Sequence, residues 1–86
     1  MYRIDYSKRA QRQIRKMDKQ VQRLLFAWID KHLDGTENPR QHGKGLTDKR
    51  ANEWGYRIGD YRLIYDIQED KMVILALEFG YRKDVY

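Results

Sequence analysis

The chain contains no cysteine, so neither a disulfide framework nor a thiolate metal site can be built from it, and a reducing compartment fits. No apolar run approaches the roughly 20 residues a bilayer-spanning helix needs, and the first fifteen residues mix charges too freely for a secretory signal. The expectation is a cytoplasmic protein with no membrane partner. Histidine is scarce, with only two residues. His32 falls on an apolar helical stripe where a packed side chain is the ordinary reading, and His42 stands alone in a polar stretch, so a two-histidine nuclease is not indicated. There is no Asp-x-Asp or His-rich motif, and neither a metal site nor a cofactor is expected. Gly43-Lys44-Gly45 neither follows a strand nor opens a helix, which sets it apart from a phosphate-cradling loop. No internal repeat is present.

What the chain does have is charge. Charged residues make up 36% of its 86 residues, against about 25% in an ordinary globular protein. The hydrophobic share of 41% is close to normal, so an ordinary core lies beneath a highly charged surface. A chain of this length buries only about 60% of its unfolded surface, which fits a single domain over residues 1–86. Lysine and arginine number 18 against 13 acids, a net charge of +5 with a pI near 9.6. That balance suits a polyanionic partner such as RNA, DNA or an acidic protein segment, or simply a soluble basic surface.

Tyr2, Ile4 and Tyr6 alternate with Arg3 and Asp5, the pattern of a short strand with one buried face. Ser7 offers an N-cap oxygen to a helix of about three turns in which Ala10, Ile14 and Met17 share a face. Arg9, Arg12, Arg15 and Lys16 lie around the exposed surface of this helix and are candidates for contacting RNA backbone; a solvated charged face is the plain alternative. Asp18 can cap a second helix whose stripe of Val21, Leu24, Leu25, Trp28, His32 and Leu33 runs to Gly35. Residues 35–51 read as an unusually basic loop. Two alternating strands, 53–58 and 61–66, flank Gly59-Asp60, and glycine first in a two-residue loop predicts a type II′ hairpin turn. Residues 72–79 are apolar almost throughout, as a central strand covered on both faces should be. The predicted class is therefore α+β, an N-terminal strand and an α-hairpin packed on an antiparallel β-sheet.

With Gly59 and Asp60 as the loop, Arg57 faces Arg62 and Glu53 faces Asp66. Two guanidinium heads about 5 Å apart repel by about 1–3 kcal/mol at intermediate dielectric. An anion between them converts that repulsion into attraction, and the guanidinium fork matches phosphate oxygens bidentately. Alternatively the two side chains splay toward Glu53 or Asp66. With metal and histidine chemistry unsupported, the phosphate reading points to metal-free transfer of an RNA phosphodiester. There the neighbouring 2′-hydroxyl attacks phosphorus and cations stabilise the charge that develops; DNA lacks that hydroxyl.

The stretch Glu53-Trp54-Gly55-Tyr56-Arg57-Ile58-Gly59-Asp60-Tyr61-Arg62-Leu63-Ile64-Tyr65, together with Phe79-Gly80-Tyr81-Arg82-Lys83-Asp84-Val85-Tyr86, resembles the RelE/ParE toxin superfamily, and in particular its RelE-type members with their YoeB-like relatives. The order of elements is similar as well, so the resemblance spans essentially the whole chain. It implies a RelE-like microbial ribonuclease fold and the toxin of a type II toxin-antitoxin system. The implied activity is a metal-independent, ribosome-dependent endoribonuclease, an mRNA interferase, that cuts mRNA in the decoding site, inhibits translation and is silenced by a cognate antitoxin. By the same resemblance Arg62 matches the arginine at the scissile phosphate, Arg82 the tail residue that stabilises the transition state or donates a proton, and Tyr86 the tyrosine that orients the substrate base.

The chain departs from the RelE pattern where that family has lysines before the turn, one of them a proposed base; here stand Glu53, Gly55 and Arg57. Glu53 can take the proton, as a carboxylate does in the YoeB-like toxins, or Lys44, Lys49 or Arg50 can reach in from the basic loop. Tyr81 replaces a histidine of many relatives and, with Arg57 and Lys83, joins the candidate RNA-binding set. Two other readings stand beside this one: a ParE-like inhibitor of DNA gyrase, and a non-enzymatic RNA- or ribosome-binding module.

Overall fold

The computed structural model describes residues 1–41, 43–45 and 53–81. Strand β1 spans Arg3–Tyr6, followed by helices α1, Lys8–Arg15, and α2, Lys19–His32. Strands β2, Lys44–Gly45, β3, Glu53–Ile58, β4, Tyr61–Gln68, and β5, Val73–Tyr81, complete the fold. They form one five-stranded sheet in the order β1-β5-β4-β3-β2. Strands β2 to β5 pair antiparallel; β1, whose direction the alternation pattern does not encode, joins β5 in parallel, Ile4 beside Ile74. The expected α+β architecture stands, as a mixed sheet with β5 inside it.

Ser7 caps α1 as expected: its Oγ accepts from the Ala10 amide at 3.0 Å and donates to the Leu77 carbonyl at 2.8 Å. The helix is shorter than its apolar spacing predicts, eight residues. Its last turn tightens, with the Lys16 and Met17 amides bonding Gln13 and Ile14 three residues back, which turns Met17 onto the core instead of extending the helix. Asp18 occupies the N-cap position of α2 but makes no side-chain cap bond. The expected stripe on α2 is also rotated. Leu25, Ile29 and Leu33, spaced by four, are buried, whereas Leu24 is 53% exposed, because successive helical residues point about 100° apart. His32 is packed, stacked on Trp28 at 4.4 Å.

The core lies between the helical hairpin and one sheet face, where Leu25, Ile29 and Leu33 meet Leu63, Tyr65, Ile74, Ala76 and Phe79. Tyr6 packs edge-on to Phe26 at 5.8 Å. The buried Tyr65 hydroxyl donates to the Pro39 carbonyl at 3.2 Å, anchoring the segment after α2. Gly35 and Thr36 clasp Tyr2 by two backbone bonds of 2.8 and 2.9 Å.

Burial, reinforced by the charges of Asp30 and Asp34, pushes the Tyr6 hydroxyl up from 10.0 to about 12. Burial, with the neighbouring Tyr56, raises Tyr65 as well. A folded-state value above the unfolded one gives stability that is complete below pH 10 and is lost as pH climbs through the folded value. For the half-buried Tyr6, discounted for solvent screening, a rise from 10.0 to about 12 corresponds to on the order of 1 kcal/mol. Thermal unfolding followed between pH 9 and 12 should therefore show a falling midpoint above pH 10, with a shallower fall in Tyr6→Phe; an identical pH profile in that variant would discount Tyr6.

Candidate functional site

The β3-β4 register is the one the two-residue loop dictates. Arg57 pairs with Arg62, Ile58 with Tyr61 and Glu53 with Asp66. Gly59 carries the positive φ, +59°, and Asp60 does not, which fits a type II′ turn and excludes type I′. Trp54, Tyr56 and Ile58 point to the helices, where Tyr56 lies against Trp28 at 3.8 Å between ring centroids. The alternation then places Glu53, Gly55 and Arg57, with Arg62 and Asp66, on the opposite face.

On that face Arg57, Arg62, Gly43 and Gly55 line a cavity of about 250 Å³. Gly43 adopts φ +73°, and a Cβ there would collide with the Gly55 carbonyl oxygen, so the backbone lies flat against β3 and leaves the space to the arginines. The two-residue strand β2 lies within the stretch read as a loop, pairing Lys44 with Gly55 and Gly45 with Trp54. Arg57 is exposed and Arg62 half-buried. Arg57 makes no ion pair with another described residue, unlike Arg9, which pairs with Glu78, and Arg40, which pairs with Glu69. The Asp66 carboxylate accepts from Gln68 at 3.2 Å. Glu53 is half-buried at the far end of the register, opposite Asp66. On β5, Gly80 is the partner of Arg62 and Tyr81 that of Tyr61. Arg82, Lys83, Tyr86, Lys49 and Arg50, and likewise His42, lie outside the described residues.

The cations of α1 do not form one surface. Arg9, Gln13 and Lys16 line the side toward β5, where Arg9 pairs with Glu78 at 3.6 Å. Arg12 is exposed, and Arg15 donates from Nε to the Gln11 carbonyl at 3.2 Å. Gln13, which sequence reasoning missed, accepts from the Phe79 amide at 2.7 Å. The β1-β5 pairing stops at Tyr6-Ala76, and a register shift follows. Ser7 and Gln13 thus bond the backbone of β5 at Leu77 and Phe79, beyond the reach of β1. The spacing of Gln13 with Arg9 and Lys16 is visible in the sequence, but that it faces the uncovered end of a strand 66 residues away is not.

A helical hairpin on one face of a mixed sheet, with opposed arginines on the other, defines a small basic α+β class. Residues 4–86 match the family model of the ParE toxin of type II toxin-antitoxin systems, and the chain belongs to that family. Toxin RelG of Mycobacterium tuberculosis is 28% identical over 86 residues, 99% of this chain and 95% of the relative. The archaeal RelE-RelB complex of Pyrococcus horikoshii is similar with a TM-score of 0.71 at 25% identity, covering 98% of each chain. The RelBE2 toxin-antitoxin complex of Mycobacterium tuberculosis reaches a TM-score of 0.84 over 94% of this chain and 98% of that one; at 23% identity, that likeness is one of fold. The protein is a toxin of the RelE/ParE superfamily from a type II toxin-antitoxin system. No helix among its described residues is long and apolar enough to cross a membrane.

Proposed function

We propose that residues 1–86 form one toxin domain acting in the cytoplasm as a metal-independent endoribonuclease that cleaves mRNA on the ribosome and so inhibits translation. The observation that carries this reading is the direct opposition of Arg57 and Arg62 at a cavity that Gly43 and Gly55 also line, an arrangement whose two guanidinium forks match the oxygens of a phosphate. In the reaction a 2′-hydroxyl loses its proton to a base and its oxygen attacks the adjacent phosphorus. The 5′-oxygen leaves with a proton, and a 2′,3′-cyclic phosphate remains. Arg62 stabilises the equatorial oxygens, Arg82 either stabilises the transition state or donates the proton to the leaving oxygen, and Glu53 is the base assigned. Tyr86 orients the base, while Lys44, Lys49, Arg50, Arg57, Tyr81 and Lys83 hold the RNA. A cognate antitoxin is the silencing partner; the RelE-RelB and RelBE2 complexes among the structural neighbours support it.

Arg9, Arg12, Arg15 and Lys16 are assigned to phosphate backbone, in ribosomal RNA for the outward pair Arg12 and Arg15. Neutralising Arg12 and Arg15 together should reduce the slope of log affinity for ribosomes against log salt by about 1–2; an unchanged slope sinks this assignment. The main test is primer extension on translated message with wild type, Arg62→Ala, Arg82→Ala and Tyr86→Phe, with and without ribosomes. Cleavage at codon spacing, lost in the variants, supports the proposal. The family match to ParE toxins favours one rival, inhibition of DNA gyrase. Intact message together with blocked supercoiling would establish that rival instead.

A further inference from the structure

A second cavity, of about 390 Å³, lies on the helix-covered side of the sheet, between α1 and the end of β5, and is lined by Arg9, Gln13, Lys16, Tyr61, Glu78 and Tyr81 among others. We propose that it is a subsite for one unpaired nucleotide of the RNA substrate, selective for bases that carry an amino group. The inference rests on the nuclease reading above and extends it to the chain flanking the cleaved linkage.

Position is the first argument. Gly80, in the cavity wall, is the sheet partner of Arg62, so the arginine cavity and this one sit at the same level on the two faces of the sheet. Between them runs the edge of β5 past Ala76, which β1 does not cover. A strand gripped by Arg57 and Arg62 can round that edge and enter the second cavity a few nucleotides on.

The lining is the second argument. Tyr61 and Tyr81 stand edge to face at 5.3 Å, and Tyr81 is 42% exposed, a ready platform for a base. Lys16 on α1 supplies a cation for its phosphate, while Arg9 is paired with Glu78. Gln13 has its carbonyl oxygen committed to Phe79 and so offers mainly N–H donors. Glu78 decides between occupants. One of its carboxylate oxygens faces Arg9 at 3.6 Å, and the other is left to accept from the exocyclic amino group of adenine, cytosine or guanine, a contact that the carboxylates of an acidic peptide could not make. Uracil has no amino group, and its carbonyl oxygens would face the carboxylate.

The test is an NMR titration of the ¹⁵N-labelled full chain with AMP, CMP, UMP and inorganic phosphate, none of which carries a cleavable linkage. AMP and CMP should move the amides of Gln13, Gly80 and Tyr81, with UMP about tenfold weaker. Tyr81→Ala should weaken AMP by about tenfold or more and Tyr81→Phe should restore it; Lys16→Gln, at an exposed position, should weaken AMP without disturbing the fold. Equal affinity for UMP and AMP overturns the proposal. So do phosphate alone matching AMP, shifts confined to Gly55 and Arg57, and an acidic peptide binding where AMP does not. Nucleotide binding here by a protein that leaves message intact would uphold the subsite and sink the nuclease reading; cleavage without it would do the reverse.

Discussion

Replacing Arg62 by alanine is expected to slow RNA cleavage by about 10²- to 10³-fold, the usual effect of deleting one preorganised donor to developing charge, without lowering thermal stability. The two halves of this expectation come from the same geometry. Arg62 sits opposite Arg57 in the register and both line one cavity, and two guanidinium heads brought to about 5 Å repel by about 1–3 kcal/mol at intermediate dielectric. Removing one partner relieves that repulsion, and the melting midpoint should stay level or rise. An ordinary packing residue would behave differently, losing activity and stability together. Arg62→Lys should recover part of the rate, since it restores the charge but not the bidentate fork. Arg57 is exposed, and Arg57→Ala should act more on KM than on kcat. A marked fall in stability for Arg62→Ala alongside lost cleavage would make Arg62 a structural residue and remove the main support for the nuclease.

Local rules carried the reading furthest where they act alone. A two-residue loop with glycine first leaves one register, and that register sets Arg57 against Arg62 and Glu53 against Asp66. Ser7 was legible as a cap because the motif closes within three residues. The parts that stayed hidden depend on elements distant in sequence. Alternation in Tyr2-Ile4-Tyr6 marks a strand but is the same for either direction, so the parallel pairing with β5 is not encoded there. Leu24 and Leu25 are both apolar neighbours on α2, and only the sheet decides that the latter points inward. The bond from the Phe79 amide to Gln13 exists because β1 stops at Tyr6, a fact of assembly. At the arginine cavity the opposed pair follows from the hairpin register, whereas Gly43 joins it only because β2 pairs with β3, and on the other face Tyr61 and Glu78 meet Arg9 and Gln13 only through the assembled fold.

The contrast between Leu24 and Leu25 gives the second large effect. Leu25→Ala should destabilise the protein by about 2–5 kcal/mol, the combined loss of transfer energy and packing around a cavity. Leu25 is fully buried between Ile29 and the sheet-facing core, and it has no solvent into which the void can collapse. At about 0.05–0.15 kcal/mol per residue, the whole 86-residue chain is stable by roughly 4–13 kcal/mol; the substitution removes a large share of that. Leu24→Ala, one position away and more than half exposed, should change stability by no more than about 0.5 kcal/mol. Urea unfolding reads both: the midpoint should fall sharply for Leu25→Ala and barely for Leu24→Ala, with the slope unchanged in each. Because α2 packs on the reverse of the hairpin that carries Arg57 and Arg62, the Leu25 variant should also lose activity, but only at temperatures where it begins to unfold. Equal midpoints for the two variants would mean that α2 does not present the Leu25-Ile29-Leu33 row to the sheet, and the support behind the arginine pair would have to be redrawn.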